Sequence, residues 1–289
     1  CPAEVLMRHP TALLVLMRRL FTWRQIPKML QMKELLTRAI AESPDMTAEE
    51  RGNLLGECDL IMSFLSYNDI TEMSRLHRSA SRQMTRSAVT IQAGSWTFGS
   101  PSVLMMYYRA PGELQKELHE MNECMPHYYR ITNGHGLGAE LVMAAEASFM
   151  QGRLHEAEIG IECARTKIAG SGQENMALCC DFLQLRLRLA AGKGRLLDME
   201  SRKQSLQARH DVVLLNMLDA IYAYYYALIQ DTARVPEVFR LHRLDTVNYF
   251  APGRPMMELV ENQVLLAQGE YARVIGRSEA LLTVCDKLH

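Results

Sequence analysis

The residues with the clearest potential for chemistry lie in two glycine-rich segments. Residues 94–102 read Gly-Ser-Trp-Thr-Phe-Gly-Ser-Pro-Ser, and residues 128–140 read Tyr-Tyr-Arg-Ile-Thr-Asn-Gly-His-Gly-Leu-Gly-Ala-Glu. Each segment leads into the start of a predicted helix, where free backbone N–H groups can bind an anion, a hydroxyl or a carbonyl. Aromatic rings beside them can stack on a sugar, an aromatic group or a peptide. The candidate ligand-binding residues are therefore Trp96, Phe98, Ser100, Tyr128, Tyr129, Asn133, His135 and Glu140.

The same two segments also fit a purely structural role. Glycine-rich links between helices often form tight turns, and aromatic side chains then fill gaps between irregular repeats. The sequence leaves both interpretations open. A third break, at residues 248–255, contains Pro252 and Pro255, which prevent a continuous helix there.

Motifs for catalysis and metal binding are incomplete. The run Gly134-His-Gly-Leu-Gly138 lacks both the preceding strand and the full spacing of a dinucleotide-binding loop. His119-Glu120 and His155-Glu156 begin like a zinc-protease motif, but Glu123 and Ile159 stand where the second histidine is needed. The sequence therefore predicts neither an enzyme nor a metal site.

Composition narrows the class of protein. The 289 residues carry a formal net charge of −1, which gives no electrostatic attraction to DNA or to anionic lipid. The longest apolar stretch, Leu214–Ile229, contains Asp219 and is too short to span a bilayer. Seven cysteines without a C-x-x-C pair are typical of reduced thiols in a cytoplasmic protein. Because the chain starts at Cys1 and not at Met, we expect a fragment of a longer protein.

A repeat of about forty residues dominates the sequence. Short polar turns separate apolar helical stretches, and the turn residues are Asn68, Gly112, Gly152, Gly192, Asp231 and Gly269, spaced by 44, 40, 40, 39 and 38 positions. Glycine, asparagine and aspartate tolerate the left-handed backbone that ends many helices. The pattern predicts stacked helical hairpins.

The predicted fold class is all-α, an α–α superhelix or solenoid of about seven tetratricopeptide-like hairpins forming one domain over residues 1–289. Thr47-x-x-Glu50 and Ser171-x-x-Glu174 read as capping boxes, and no sustained alternation predicts a strand. The predicted pairs are 10–22 with 25–42, 47–66 with 69–84, 101–109 with 112–125, 135–151 with 153–169, 172–191 with 194–208, 210–229 with 233–243, and 255–268 with 270–287.

Five stretches together resemble a known family. They are Ala12-Leu-Leu-Val-Leu-Met-Arg-Arg-Leu-Phe21, Phe64-Leu-Ser-Tyr-Asn-Asp69, the Trp/Phe segment at 94–102, Thr132-Asn-Gly-His-Gly136 and Gly269-Glu-Tyr-Ala-Arg-Val-Ile-Gly276. The chain resembles, over essentially its whole length, the helical region of the large, ATP-binding, MalT-like regulators of the LuxR type. In that family the helical superhelix receives the inducer, between an N-terminal ATPase with its winged-helix segment and a C-terminal helix-turn-helix.

The resemblance implies a signal-sensing domain without its ATPase and DNA-binding modules. No cofactor is expected in this fragment, because ATP belongs to the missing N-terminal module. The expected partners are a small-molecule inducer or peptide in the concave groove, other domains of the same regulator and another copy of the chain, with no direct contact to DNA or membrane. The alternative is an interaction scaffold that binds a protein or peptide. Trp96, Phe98, Asn133 and His135 are the residues we most expect to face the ligand.

Overall fold

The computed structural model describes residues 2–66, 69–91, 100–107, 111–193, 200–247 and 253–288. Over these ranges the regular structure consists of fifteen α-helices and three short 3₁₀ turns, without a strand. The predicted all-α class is confirmed. The chain divides into two compact units, one of residues 1–94 and 119–135 and one of residues 95–118 and 136–289. The expectation of a single domain over residues 1–289 stays a prediction.

The first unit is built from helical hairpins. Helix α2 (Pro10–Thr22) packs on α3 (Ile26–Ala41), and α4 (Ala48–Ser63) packs on α5 (Ile70–Gln83). Helix α2 also contacts α4. The apolar stripes of α2 and α3 bury Leu13, Met17, Met29 and Leu36 in one core, together with Leu54 on α4. The unit also contains α1 Ala3–Met7, and α7 Leu114–Ile131 belongs to it from His119 onward.

Close packing of α4 on α5 depends on two glycines one turn apart. A Cβ atom added at Gly52 would lie 2.8 Å from the carbonyl oxygen of Gln83. One added at Gly56 would lie 2.6 Å from Cγ of Met84 and 3.0 Å from the carbonyl oxygen of Ala80. Any side chain at these two positions would therefore push the helices apart.

The second unit is also built from packed helices, which are α6 Leu104–Tyr107, α8 Ala139–Met150, α9 Leu154–Ile168, α10 Glu174–Ala190, α11 Glu200–Ala208, α12 Val212–Leu228, α13 Glu237–Arg240, α14 Arg254–Ala267 and α15 Tyr271–Leu288. Helix α8 packs on α9, α9 on α10 and α14 on α15. Helices α8, α10, α12 and α14 contact one another in sequence and form what we call the α8–α14 row. The short helix α6 contacts both end members of the row, α8 and α14, so the row curves around it.

One predicted helix is wrong. The second helix of the sixth hairpin, expected at 233–243, is replaced by a 3₁₀ turn at Thr232–Arg234, the single turn α13 and a further 3₁₀ turn at Leu244–Thr246. Pro236 is the reason, because a proline disfavours helical backbone in the residue before it. Val235 accordingly has an extended ψ of 131°. As a result, α12 packs directly against α14.

Among the described helices, none has the length and apolarity needed to cross a bilayer.

Candidate ligand-binding surface

The predicted site residues of the first unit surround a buried hydrogen bond. The hydroxyl of Tyr128 and Nδ1 of His135 lie 2.7 Å apart, and the two rings meet edge to face at 5.9 Å. Both side chains are buried, and burial raises the pKa of the Tyr128 phenol. Tyr129 is half-buried and packs its ring 6.5 Å from that of Tyr128. The pair therefore faces the interior of the first unit.

Asn133 forms the turn that follows α7. Its backbone is left-handed, with φ of 52°, and Gly134 continues the turn with φ of 75°. The Oδ1 atom of Asn133 accepts a hydrogen bond from the Ser87 hydroxyl at 2.7 Å. Nearby, the N–H of Ala88 donates to the carbonyl of Ile131 at 2.7 Å. These bonds tie the Asn-Gly-His turn to the chain that follows α5.

The remaining predicted residues divide between the second unit and an undescribed stretch. Glu140, buried on α8, pairs with Lys167 of α9. Ser100 is fully buried, and its carbonyl accepts a hydrogen bond from Sγ of Cys179 at 3.8 Å. Trp96 and Phe98 lie outside the described residues.

A histidine that the sequence analysis missed extends the Tyr128–His135 pair. The ring of His77 on α5 lies 4.7 Å from that of Tyr128, and its Nε2 is 3.0 Å from the Ser63 hydroxyl. Burial lowers the pKa of His77 to about 3, so its imidazole is neutral. Ser63 is fully buried and donates its one hydroxyl proton to the carbonyl of Leu60 at 2.7 Å, so it accepts the hydrogen bond from Nε2–H of His77.

The second unit contains a buried ion pair that no sequence motif indicates. Glu146 on α8 is 1% exposed, and its Oε1 lies 3.4 Å from Nη1 of Arg186 on α10. The guanidinium of Arg186 stacks over the rings of Phe149 at 4.5 Å and Phe182 at 5.5 Å. Burial raises the pKa of Glu146, while the positive charge of Arg186 acts in the opposite direction. The ring contacts and the ion pair fix the carboxylate in one position.

The other oxygen of Glu146 binds polypeptide backbone. Its Oε2 accepts hydrogen bonds from the N–H groups of Val103 and Leu104, each at 2.8 Å. Charge-assisted bonds of this kind are about twice as strong as neutral ones. The Ser102 hydroxyl is a further hydrogen-bond partner of this carboxylate. The carboxylate therefore recognises a local chain conformation together with a serine just before it.

Four residues of α10 line the same region. Asn175, Cys179, Phe182 and Arg186 follow one another at helical spacings of four, three and four residues, so they lie along one side of the helix. Together with Glu146 we call them the α8/α10 face. Neither amide atom of Asn175, which is 1% exposed, has a hydrogen-bond partner among the described residues. Within the described chain, the face thus combines one satisfied carboxylate with one carboxamide whose donor and acceptor are both open.

A weak sequence signal marks these residues. Glu146 interrupts the apolar run Val142-Met-Ala-Ala-Glu-Ala147, and Arg186 interrupts Leu183-Gln-Leu-Arg-Leu187. Isolated charges in an apolar helix are rarely buried unless they are paired, so each indicates a buried partner without identifying it.

Among the described residues, no group of three or more His, Cys, Asp or Glu side chains is placed to hold a metal ion. Searches against protein-family models, curated proteins and solved structures give no match to this chain.

Proposed function

We propose that this chain is the signal-sensing helical-repeat domain of a cytoplasmic regulator of the MalT-like LuxR type, and that its ligand binds at the α8/α10 face. In this proposal the hairpins belong to one superhelix of about seven tetratricopeptide-like repeats. The chain itself carries out no catalysis. ATP binding and DNA binding are assigned to other modules of the regulator.

The repeat architecture supports a binding role. Stacked hairpins bury their apolar faces against their neighbours, and the row of first helices presents a curved surface to whatever lies inside it. The α8–α14 row curves around α6 in this way. Polar side chains on such a surface are therefore placed to meet a ligand.

The observation that carries the proposal is the amide of Asn175, which has no partner in the described chain. A buried polar group without a hydrogen-bond partner lowers the stability by about 1–3 kcal/mol, because it loses its bonds to water. An apolar residue of similar size has no such desolvation penalty. A ligand that supplies one donor and one acceptor, such as a sugar hydroxyl pair or a peptide unit, would recover that loss on binding. Arg186, three turns further along α10, and Glu146 on α8 add charged groups that orient it.

A thermal-shift screen of the chain against short oligosaccharides and small metabolites tests the proposal. A ligand at a hundred times its Kd stabilises a protein by about 2.7 kcal/mol. For a chain of this size that is a rise in Tm of roughly 4–5 °C. The matched variant Asn175→Leu should be more stable without ligand and should lose most of the shift. A screen in which no compound stabilises the chain, or in which Asn175→Leu responds like the wild type, would contradict the proposal.

The second candidate is an interaction scaffold for a protein or peptide. One observation favours it: Glu146 already holds two backbone N–H groups of a polypeptide segment. If a peptide is captured in a pull-down and no metabolite stabilises the chain in the thermal-shift screen, the results would favour the scaffold function.

A further inference from the structure

We propose that the segment Ser100–Tyr107 is an intramolecular ligand of the α8/α10 face, and that polypeptides with the same serine-capped, apolar helix start compete with it for that face. The inference rests on the proposed function, because it takes the α8/α10 face to be the binding surface. It adds the class of partner and the way in which access is controlled.

The segment enters the face in a chain conformation fixed by polar contacts. The carbonyl of Ser100 accepts from Cys179 on α10, and the hydroxyl of Ser102 accepts from the N–H of Met105 at 3.2 Å. The second bond caps the first turn of α6. Ser100 and Ser102 are both fully buried. A competing polypeptide needs the same capped turn, which favours serine at the second of these positions.

Glu146 is the anchor of the segment. Its Oε2 binds the consecutive N–H groups of Val103 and Leu104, which an N-capped turn leaves without partners inside the helix. Arg186 neutralises the carboxylate from the other side. The face therefore selects a helix start or a tight turn over an extended strand, because successive N–H groups of a strand point in opposite directions.

The apolar side chains of the segment also determine which polypeptides can bind the face. Val103 and Met106 are fully buried, and Leu104 and Tyr107 are almost so. Helix α6 spans only four residues and packs on α8 and α14. An isolated helix of this length is unstable in water, so its conformation depends on the surface that holds it. A segment held in this manner can leave the face as a unit.

The amide of Asn175 shows that the described segment does not satisfy the whole face. Asn175 lies one helical turn before Cys179, the residue that contacts Ser100. An incoming polypeptide that also bonds this amide gains an interaction that the described segment does not make. Such a gain is what allows a free peptide to compete with a tethered segment, whose effective concentration is in the millimolar range.

The test uses the full chain and a fluorescein-labelled peptide, Ser-Pro-Ser-Val-Leu-Met-Met-Tyr, amidated at its C-terminus. In a released variant, Val103→Glu with Met106→Glu, the new carboxylates repel Glu146 and free the face. Fluorescence anisotropy should show the peptide binding the released variant at least about tenfold more tightly than the wild type. Adding Glu146→Gln to the released variant should weaken binding by about tenfold, because a charge-assisted anchor is lost.

The matched control is Asp181→Asn in the released variant. Asp181 is also a buried carboxylate on α10, but it pairs with Arg165 and Arg202. Peptide affinity should then stay within about twofold, as expected for a change away from the bound segment. An equal loss with Asp181→Asn and Glu146→Gln would contradict the assignment of Glu146 as the anchor.

Hydrogen exchange on the unmodified chain gives a second readout. Excess peptide should speed exchange of the Val103 and Leu104 amides, because it displaces the segment. Unchanged exchange, absence of peptide binding to a folded released variant, or unfolding of that variant in circular dichroism would each overturn the inference. Failure of the metabolite screen would affect only the proposed inducer, since the peptide assay requires none.

Discussion

The contact between α8 and α9 gives the sharpest test of the hairpin packing. A Cβ atom added at Gly160 would lie 2.8 Å from Cβ of Ala145 and 3.3 Å from its Cα. Carbon atoms in ordinary contact are about 3.5–4.0 Å apart, so the helices would have to separate by up to about 1 Å. Ala145 has no flexible side chain that can move aside. Overpacking of this kind costs about 1–3 kcal/mol.

A helix-propensity gain partly offsets that cost. Alanine is about 0.8–1 kcal/mol more favourable than glycine inside a helix, so Gly160→Ala should lower the free energy of unfolding by about 0–2 kcal/mol. Gly276 on α15 is the matched control, because a Cβ atom added there meets no atom within 4 Å. Gly276→Ala should raise the free energy of unfolding by about 1 kcal/mol.

Urea unfolding, followed by far-ultraviolet circular dichroism and extrapolated linearly to water, measures both variants. Both variants gain the same helix propensity, so this gain cancels when their free energies of unfolding are subtracted. The remaining difference should be about 1–3 kcal/mol. Restoring space with Ala145→Gly in the Gly160→Ala background should recover part of the loss, with a coupling of about 1 kcal/mol. If Gly160→Ala stabilises the chain as much as Gly276→Ala, the close packing of α8 on α9 is wrong.

Three further predictions concern single groups. Thr47→Ala removes the hydroxyl that accepts the Glu50 N–H at 3.1 Å, and it should lower the free energy of unfolding in urea by about 1 kcal/mol. Burial lowers the pKa of His77 to about 3 from its usual value of 6.5. The unfolded chain then binds the proton first, and the free energy of unfolding should fall below about pH 6.5 by at most about 1.4 kcal/mol per pH unit. His77→Leu should flatten this dependence in urea titrations, and an unchanged slope would exclude His77 as its source. Cys163 is exposed, whereas burial raises the pKa of Cys124 to about 12, so a thiol reagent should label Cys163 first, as read by peptide mass mapping.

Much of the helical framework can be predicted because each hairpin repeats one local pattern. The turn residues Gly112, Gly152, Gly192 and Gly269 all adopt a left-handed backbone, with φ between 68° and 82°, while Asn68 lies outside the described residues. The predicted equivalent in the sixth hairpin is Asp231, but the left-handed residue there is Gln230, with φ of 62°. A glutamine tolerates this conformation at a cost of roughly 1–2 kcal/mol, so residue type alone misplaces the turn by one position.

Helix ends are less predictable, since competing local bonds decide them. The capping box at Thr47 forms its predicted bond, but Ser171 donates to the carbonyl of Ile168, and α10 begins after Gln173 without a side-chain cap. Helix α7, expected to end at residue 125 before Pro126, continues to Ile131. A proline removes one backbone hydrogen bond, and tertiary packing can outweigh that loss.

Only part of the candidate site can be predicted from the sequence, because the sequence does not show which helices face each other. Tyr128 and His135 belong to a single candidate segment, and they do share a hydrogen bond. The α8/α10 face, by contrast, joins Glu146 and Arg186, which are forty positions apart and have no common motif. Periodicity gives the side of a helix on which a residue lies, but it does not give the helix that will face it.

Glu146 and Asn175 argue for binding because they behave in opposite ways on the same face. A structural core often gains when a whole buried ion pair, or a buried amide without hydrogen bonds, is replaced by apolar residues of similar volume. Arg186 and two backbone donors in the segment offset part of the desolvation cost for Glu146, although burial still raises its pKa. Asn175 carries the cost without any partner in the described chain. The proposed exchange of one polar occupant for another gives a reason for the face to retain both groups, which a packing interface would not need.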